Sequence, residues 1–400
     1  MLTHTQLQFL VLLRAGLWAK PVNIDELLDP EKYQSTENKN KPQNKRNNRK
    51  NTESTNNSQG IVIDWPAIYR ISREQTVVGL IADAINTLPA ELMPPKAIAQ
   101  RFAIDKLNIE RSHVKLNSVL NLVVEALNAQ GIPHVLLKGQ GVAQNYPNPT
   151  SRTCGDIDLY VGEEKFEPAL NIIRSIEGSK ESEIENEKHT SFTLKGITIE
   201  MHKYTAVMPQ NKLNKLYHEW EIITIFNNTE KINIGDSIIN TPPANFNMFF
   251  LFWHAFYHCM TEGVGFRHMC DLTVYLNNHY KELAKEEFIL NLKKFHLTHE
   301  WKTFTSIMVE YLNLDKSKAI LYDSKYRRKA IRFKDLIFFD GNFGHFNGLK
   351  TNINQTRLKR KLQTFRNNCK LFWKRLQIFP KQTLYYFARM ISHGVKNIMD

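Results

Sequence analysis

The chain alternates between two textures. Residues 4–18 (HTQLQFLVLLRAGLW) repeat Leu7, Leu10, Leu13, Leu17 and Trp18 at helical spacing, which predicts an N-terminal helix. Helical patterns resume over about 66–86 and 96–130, and the second runs into Gly131 and Pro133, a stop signal. The pattern then shortens. His134–Leu137 predicts a buried strand, Lys138-Gly139-Gln140-Gly141 a turn, and residues 140–145 the start of a helix that Pro147 and Pro149 break. Asp156–Val161 alternates as a second strand, 163–176 reads as a helix, and 189–195 with 197–202 as a hairpin turned at Lys195-Gly196. Helical spacing returns at about 241, and residues 358–393 form a basic, aromatic-rich helical tail interrupted by Pro380. No internal repeat is present. The order implies an α+β protein with a small mixed β-sheet core flanked by N-terminal and C-terminal helical regions.

Composition narrows the class. The 400 residues are 42% hydrophobic, enough to bury a core, which excludes a chain disordered throughout. Residues 36–60 are the exception: Asn-rich and charged, they read as a disordered insertion or linker. The net charge of +13 is uneven. Residues 351–400 hold eleven Lys and Arg against Asp400, and 36–60 hold six against Glu37 and Glu53, which leaves the body near neutral. Four cysteines without a CxxC fit a reducing compartment. The longest apolar stretch, Phe246–Met260, is too short to span a bilayer and contains Asn247, His254 and His258. The Phe9–Leu13 run lacks the basic flank of a signal peptide. A cytoplasmic protein is expected, with peripheral attachment to a membrane as an option for its tail.

The candidate chemistry sits in residues 134–161 (HVLLKGQGVAQNYPNPTSRTCGDIDLYV). Asp156 and Asp158 are two apart on a strand, so their carboxylates share a face. Two such charges are costly unless a cation bridges them, and carboxylates with phosphate oxygens suit Mg²⁺. The upstream Lys138-Gly139 turn leads from a strand toward a helix, where backbone N–H groups would receive a triphosphate. Gly139 allows close approach and Lys138 neutralises charge. Glu200, in Ile197-Thr198-Ile199-Glu200-Met201-His202, has the strand pattern of a third carboxylate.

These residues carry a resemblance. Leu136, Leu137, Lys138, Gly139, Tyr146, Pro147, Arg152, Gly155, Asp156, Asp158, Leu159 and Val161, continued by Glu200 and His202, resemble an uncharacterised bacterial family of the DNA polymerase beta-like nucleotidyltransferase superfamily. The segment EGVGFRHMCDLTVYL (262–276) is similar to that family's helical motif, and the likeness spans roughly 5–345 outside the insertion. The turn departs from the superfamily's usual Gly-Ser or Gly-Gly. The resemblance implies a division into a helical region (1–115), a nucleotidyltransferase core (116–235), a helical domain (236–345) and the basic tail (346–400). It further implies transfer of a nucleoside monophosphate from an NTP to an unidentified acceptor (a sugar, a metabolite or a protein) by a two-metal mechanism. Asp156, Asp158 and Glu200 would hold Mg²⁺, with Mn²⁺ as a substitute, and Glu200 would serve as third ligand or base. Lys138, Gly139, Arg152, Gly155 and Arg267 would bind the nucleotide. The alternative is a non-catalytic nucleotide-binding or assembly module that docks on a membrane or nucleic acid through its tail.

Other residues have competing readings. Arg152 is either a phosphate contact or a structural partner of nearby acids. Arg267 and Asp271, spaced i,i+4, predict an ion pair on one helix; otherwise Arg267 reaches the nucleotide across the cleft. His254 and His258 have zinc-compatible spacing, but their aromatic neighbours favour histidines of the core or cleft. His202 either lines the site or caps its strand, and Cys154 is given no chemistry. Residues 340–345 (DGNFGH) read as a turn. The tail is a membrane-surface helix, an anionic-polymer surface, or a helix packing its aromatics on the body with its bases in water.

Overall fold

A computed structural model describes residues 2–31, 62–182, 187–235, 237–344, 366 and 369–399. The Asn-rich insertion and residues 345–365, where the basic tail begins, lie outside the described residues. No described helix is long and apolar enough to cross a membrane.

Helix α1 (His4–Trp18) starts at a capping box in which Thr3 and Gln6 satisfy each other's backbone N–H groups. It is buried on nearly all sides. A Cβ on its Gly16 would fall 1.9 Å from the carbonyl oxygen of Leu80, so only glycine allows this crossing. The single helix expected over 66–86 is two, α3 (Trp65–Glu74) and α4 (Val78–Ile85), with a short α2 (Ile24–Leu28) before them. The break has a tertiary cause. Gln75 is fully buried, donates to the carbonyl of Ile337 and accepts from the backbone N–H of Phe266, while Thr76 takes φ +56°. Helix α5 (Lys96–Ala129) runs for 34 residues, about 51 Å at 1.5 Å per residue. Its second half buries Leu116, Val119, Leu120, Val123, Val124 and Leu127 against the sheet, and it stops before Gly131.

The sheet has the order β1-β2-β5-β4-β3. Its strands are β1 (Val135–Leu137), β2 (Asp156–Tyr160), β3 (Lys180–Glu181), β4 (His189–Leu194) and β5 (Ile197–His202). Only β2 and β5 are parallel; β1 against β2, β5 against β4 and β4 against β3 are antiparallel, so the sheet is mixed. Helix α6 (Gly139–Ala143) follows β1 and α7 (Gly162–Ser175) follows β2. Alternation sorts the two faces. Leu136, Ile157, Leu159, Ile199 and Met201 pack in one cluster with α5 and α7. Val135, Leu137 and Tyr160 face the other way, into the helical body. Asp156, Asp158, Glu200 and His202 share that second face.

Helix α8 (Asn211–Thr224) leads to a hairpin that the sequence reading leaves out, β6 (Glu230–Ile234) and β7 (Ser237–Thr241), which spans the 235/236 division drawn between core and helical domain. Its signal is legible in retrospect: alternating isoleucines flank Gly235-Asp236. The helical body follows as α9 (Ala244–Thr261), α10 (Phe266–His279), α11 (Lys285–Lys294), α12 (Thr298–Leu312) and α13 (Arg327–Asp340). Helix α9 buries Phe246, Met248, Phe249, Phe250, Phe252 and Phe256 almost completely, as a central helix must. The described part of the tail packs on this body. Residues 369–376 are helical, Pro380 opens α14 (Pro380–Met399), and Phe379 lies 5.3 Å from the rings of both Phe256 and Phe333. Buried Arg375 donates to the carbonyl of Met260 at 2.8 Å, capping the end of α9. The helix-on-body reading therefore holds for 369–391.

Candidate active site

Register builds the acidic cluster. On the parallel pair β2–β5, Asp158 stands opposite Glu200 and Asp156 opposite Thr198. Oxygens of Asp156, Asp158 and Glu200 come within 4.8 Å of one another. Asp158 is the most enclosed, with a side chain 1% exposed against 20% for Glu200. Its Oδ1 accepts from Lys138 Nζ at 3.0 Å and lies 2.9 Å from His202 Nε2. Its Oδ2 is buried with no hydrogen-bond partner among the described residues. His202 Nε2 also lies 3.3 Å from Glu200, and His189, opposite it in the β4–β5 hairpin, reaches Glu200 at 3.5 Å.

The charges of this cluster are interdependent. Burial alone would raise the Asp158 carboxyl, but Lys138 and His202 hold it far below the usual carboxylate range. The negative charge of Asp158, then burial, raises Asp156. Burial works against the Lys138 ammonium, yet Asp158, Asp156 and Glu200 together raise it. Burial, then neighbouring His202, pulls His189 down to about 4, so it is neutral at pH 7. Lys138 and Gly139 both take positive φ, +46° and +43°, as the chain turns from β1 into α6. For Gly139 the reason is conformation, since an added Cβ would meet only the Asp156 carbonyl at 3.5 Å.

The two arginines behave differently. Arg152 grips Asp271 with two bonds, Nε to Oδ1 at 2.7 Å and Nη2 to Oδ2 at 2.8 Å, and Tyr146 donates to the same carboxylate at 2.6 Å. Its Nη1 donates to the Thr153 carbonyl and the Cys154 sulfur. The expected Arg267–Asp271 pair within α10 is thus not formed: Asp271 turns to the 146–155 loop. Arg267 extends its Nη1 to the Thr153 carbonyl at 3.3 Å, lies 5.4 Å from the Phe343 ring and keeps a buried Nε without a partner.

A cavity of about 600 Å³ between the sheet and helices α9 and α10 gathers Lys138, Gly139, Arg152, Gly155, Asp156, Asp158, Glu200 and Arg267, all eight residues singled out from sequence. Residues 62–313, more than half of the chain, match the model of a family described as an uncharacterised nucleotidyltransferase. The chain belongs to that family. Membership supports nucleotidyl transfer as its general activity and an NTP as a substrate. Among solved structures it is similar to an antigenic nucleotidyltransferase-like protein from Paracoccidioides brasiliensis, at 13% identity over 40% of this chain and 75% of that one, with a TM-score of 0.30. No curated protein matches.

Within this family member, the cavity also includes residues beyond those eight, among them His254 and His258, for which lining the cleft is one of the expected readings. Lys188, His189 and Glu262 line it, as do His254, His258, His268 and Phe343. Hairpin register gives a usable signal for His189, since the Lys195-Gly196 turn sets it opposite His202. Phe343 comes from the turn after α13 and lies 4.7 Å from His258 and 5.5 Å from His268. Burial, then the Lys138 charge, holds His254 well below the ordinary histidine value; burial likewise lowers His258 and His268. The zinc reading of His254 and His258 gains nothing: among the described residues, neither belongs to a group of His, Cys, Asp and Glu close enough to share an ion.

Proposed function

We propose that this protein transfers a nucleoside monophosphate from an NTP to a hydroxyl-bearing acceptor, with release of pyrophosphate, at the cavity of Asp156, Asp158 and Glu200. The observation that carries the reading is the convergence of three carboxylates from two parallel strands on one cavity that also holds Lys138 and Arg267. The donor set fits a hard divalent cation: all three groups offer oxygen, and the buried Asp158 Oδ2 lacks any partner. Mg²⁺ held there would stabilise charge on the triphosphate and its leaving group. Asp156, Asp158 and Glu200 are its proposed ligands. Lys138, anchored to Asp158, and Arg267 supply positive charge to the phosphates. Gly139 lines the cavity beside them from the turn into α6, and Gly155 presents exposed backbone. Arg152 is a positioning residue: its bidentate pair with Asp271 fixes the loop that carries Gly155 into β2. The acceptor oxygen forms the new bond to the α-phosphorus, and the bond to the bridging oxygen of pyrophosphate breaks. The hydroxyl proton passes to a neutral imidazole, for which half-buried His254 is placed on the cavity wall.

Labelled NTPs supplied with Mg²⁺ and cell extract test this. Wild-type protein should label an acceptor, and Asp156→Asn with Asp158→Asn should not. Labelling that survives both substitutions would refute the reading. One observation favours the non-catalytic alternative: Lys138 Nζ already neutralises Asp158 at 3.0 Å. That alternative requires NTP binding without pyrophosphate release.

A further inference from the structure

A second cavity opens beside the first. It measures about 580 Å³, within the usual range for small-molecule sites. The two cavities share Lys188, His254 and Tyr257, so their contents would meet at that wall. Their chemistry differs. The second has no carboxylate trio; its lining includes Phe250, Trp253, Tyr257 and Tyr386, together with Val207 and Met390. Aromatic walls of this kind hold a planar apolar body. The lining also carries two cations, Lys188 and Arg389, against one acid, Glu187. Arg389 is held in place, with Nη1 donating to the Pro209 carbonyl at 2.9 Å, and Tyr385 donates to the same oxygen at 2.8 Å. The Tyr386 hydroxyl is buried and has no hydrogen-bond partner among the described residues. Helix α14 closes one side, so a basic tail helix contributes to the wall of this cavity.

We propose that this second cavity is the acceptor subsite, and that the acceptor is a small hydroxyl-bearing molecule with a planar apolar body and an anionic group. The proposal rests on the transferase reading above. Adjacency carries the assignment: a molecule seated among Phe250, Trp253 and Tyr386 would present its hydroxyl past His254 toward the carboxylate trio, and Lys188 and Arg389 match its negative charge. A planar body with an anionic group distinguishes this acceptor from a neutral sugar, for which the aromatic walls offer few polar partners.

The test separates the two proposals. Cell extract is divided by ultrafiltration into a small-molecule filtrate and a macromolecular retentate. Each is incubated with Mg²⁺ and each of the four NTPs labelled at the α-phosphate, using wild-type protein, Val207→Trp and Arg389→Gln. Val207→Trp fills the cavity, and Arg389→Gln removes one of its charges. Thermal stabilisation by Mg²⁺ with an α,β-methylene NTP confirms in each variant that the protein is folded and its nucleotide cavity intact. The expected result is a labelled product from the filtrate whose acceptor portion, freed from the nucleotide by phosphodiesterase, is itself anionic and ultraviolet-absorbing, with labelling reduced at least tenfold by Val207→Trp and severalfold by Arg389→Gln and nucleotide stabilisation unchanged. Label confined to the retentate, or filtrate labelling that both variants retain at the wild-type level, overturns the acceptor proposal and leaves the transferase reading standing. Nucleotide stabilisation without label in either fraction also overturns it. Failure of wild-type protein to bind any NTP overturns the transferase reading itself.

Discussion

The two neighbouring cavities have nearly the same volume and opposite chemistry. One, about 600 Å³, lies between the sheet and helices α9 and α10 and is crowded with charge; the other, about 580 Å³, lies between helices α9 and α14 and residues 205–209 and is walled by aromatic rings. The difference follows from how each element exposes side chains. A strand pair in fixed register sets like groups opposite one another, so Asp158 faces Glu200 with little freedom. Such a site can hold a fixed constellation for a charged, invariant group such as a triphosphate with its cation. Helices presenting Phe250, Trp253 and Tyr386 make a surface that selects shape. On the proposed reading, the charged cavity takes the part of the reaction common to nucleotidyl transfer and the aromatic cavity the part that selects an acceptor.

The largest effect that would break this comparison comes from the charged cavity. Asp156→Asn with Asp158→Asn removes the ligands for several kcal/mol of charge stabilisation, so the rate of pyrophosphate release should fall about a thousandfold or more. Thermal stabilisation by Mg²⁺ with NTP should vanish with it. Next comes Arg152→Gln, which leaves Asp271 buried beside Tyr146 without its cation. It should cost about 3–5 kcal/mol of folding stability, read as a lower midpoint in urea. Arg267→Gln sharpens the contrast between the arginines. It should raise KM for the NTP about tenfold, about 1.4 kcal/mol, with a much smaller change in stability than Arg152→Gln. A larger stability loss from Arg267→Gln than from Arg152→Gln would reverse the assigned roles.

A further predicted effect lies outside both cavities. Burial raises Glu221 to about 8 although Thr205 donates to it from its backbone N–H and hydroxyl. An unfolded chain ionises this group from about 4.5 upward, while the folded protein keeps its proton until about 8. The folded state thus binds more protons in that window, and this residue lowers stability as pH rises from about 4.5 to about 8. Glu221→Gln should flatten that decline in melting temperature. An unchanged slope would remove Glu221 as its source.

Much of the charged cavity is legible from short-range pattern, because strands report their faces two residues apart. Asp156, Asp158 and Glu200 are found that way, and the Lys138-Gly139 turn by its position after a strand. What escapes is set by packing between distant segments. Nothing local shows that Asp271 turns from Arg267, four residues away, to Arg152. Nothing near Gln75 shows that its amide joins Ile337 to Phe266 and splits one helix into two. The aromatic cavity is least legible of all, since Trp253 and Tyr386 meet only when α14 folds back on α9. Read as sequence, the basic tail is an appendage with three candidate uses; in the structure its aromatic face is part of a wall.

Transfer of a nucleotide at the carboxylate cluster would release pyrophosphate in step with each labelled acceptor. Pyrophosphate and labelled acceptor are counted in one reaction containing Mg²⁺, α-labelled NTP and the small-molecule filtrate. The prediction is one pyrophosphate for each labelled acceptor, with both lost in Asp156→Asn with Asp158→Asn. Tight NTP binding without pyrophosphate, or equal release by the double variant, would contradict it.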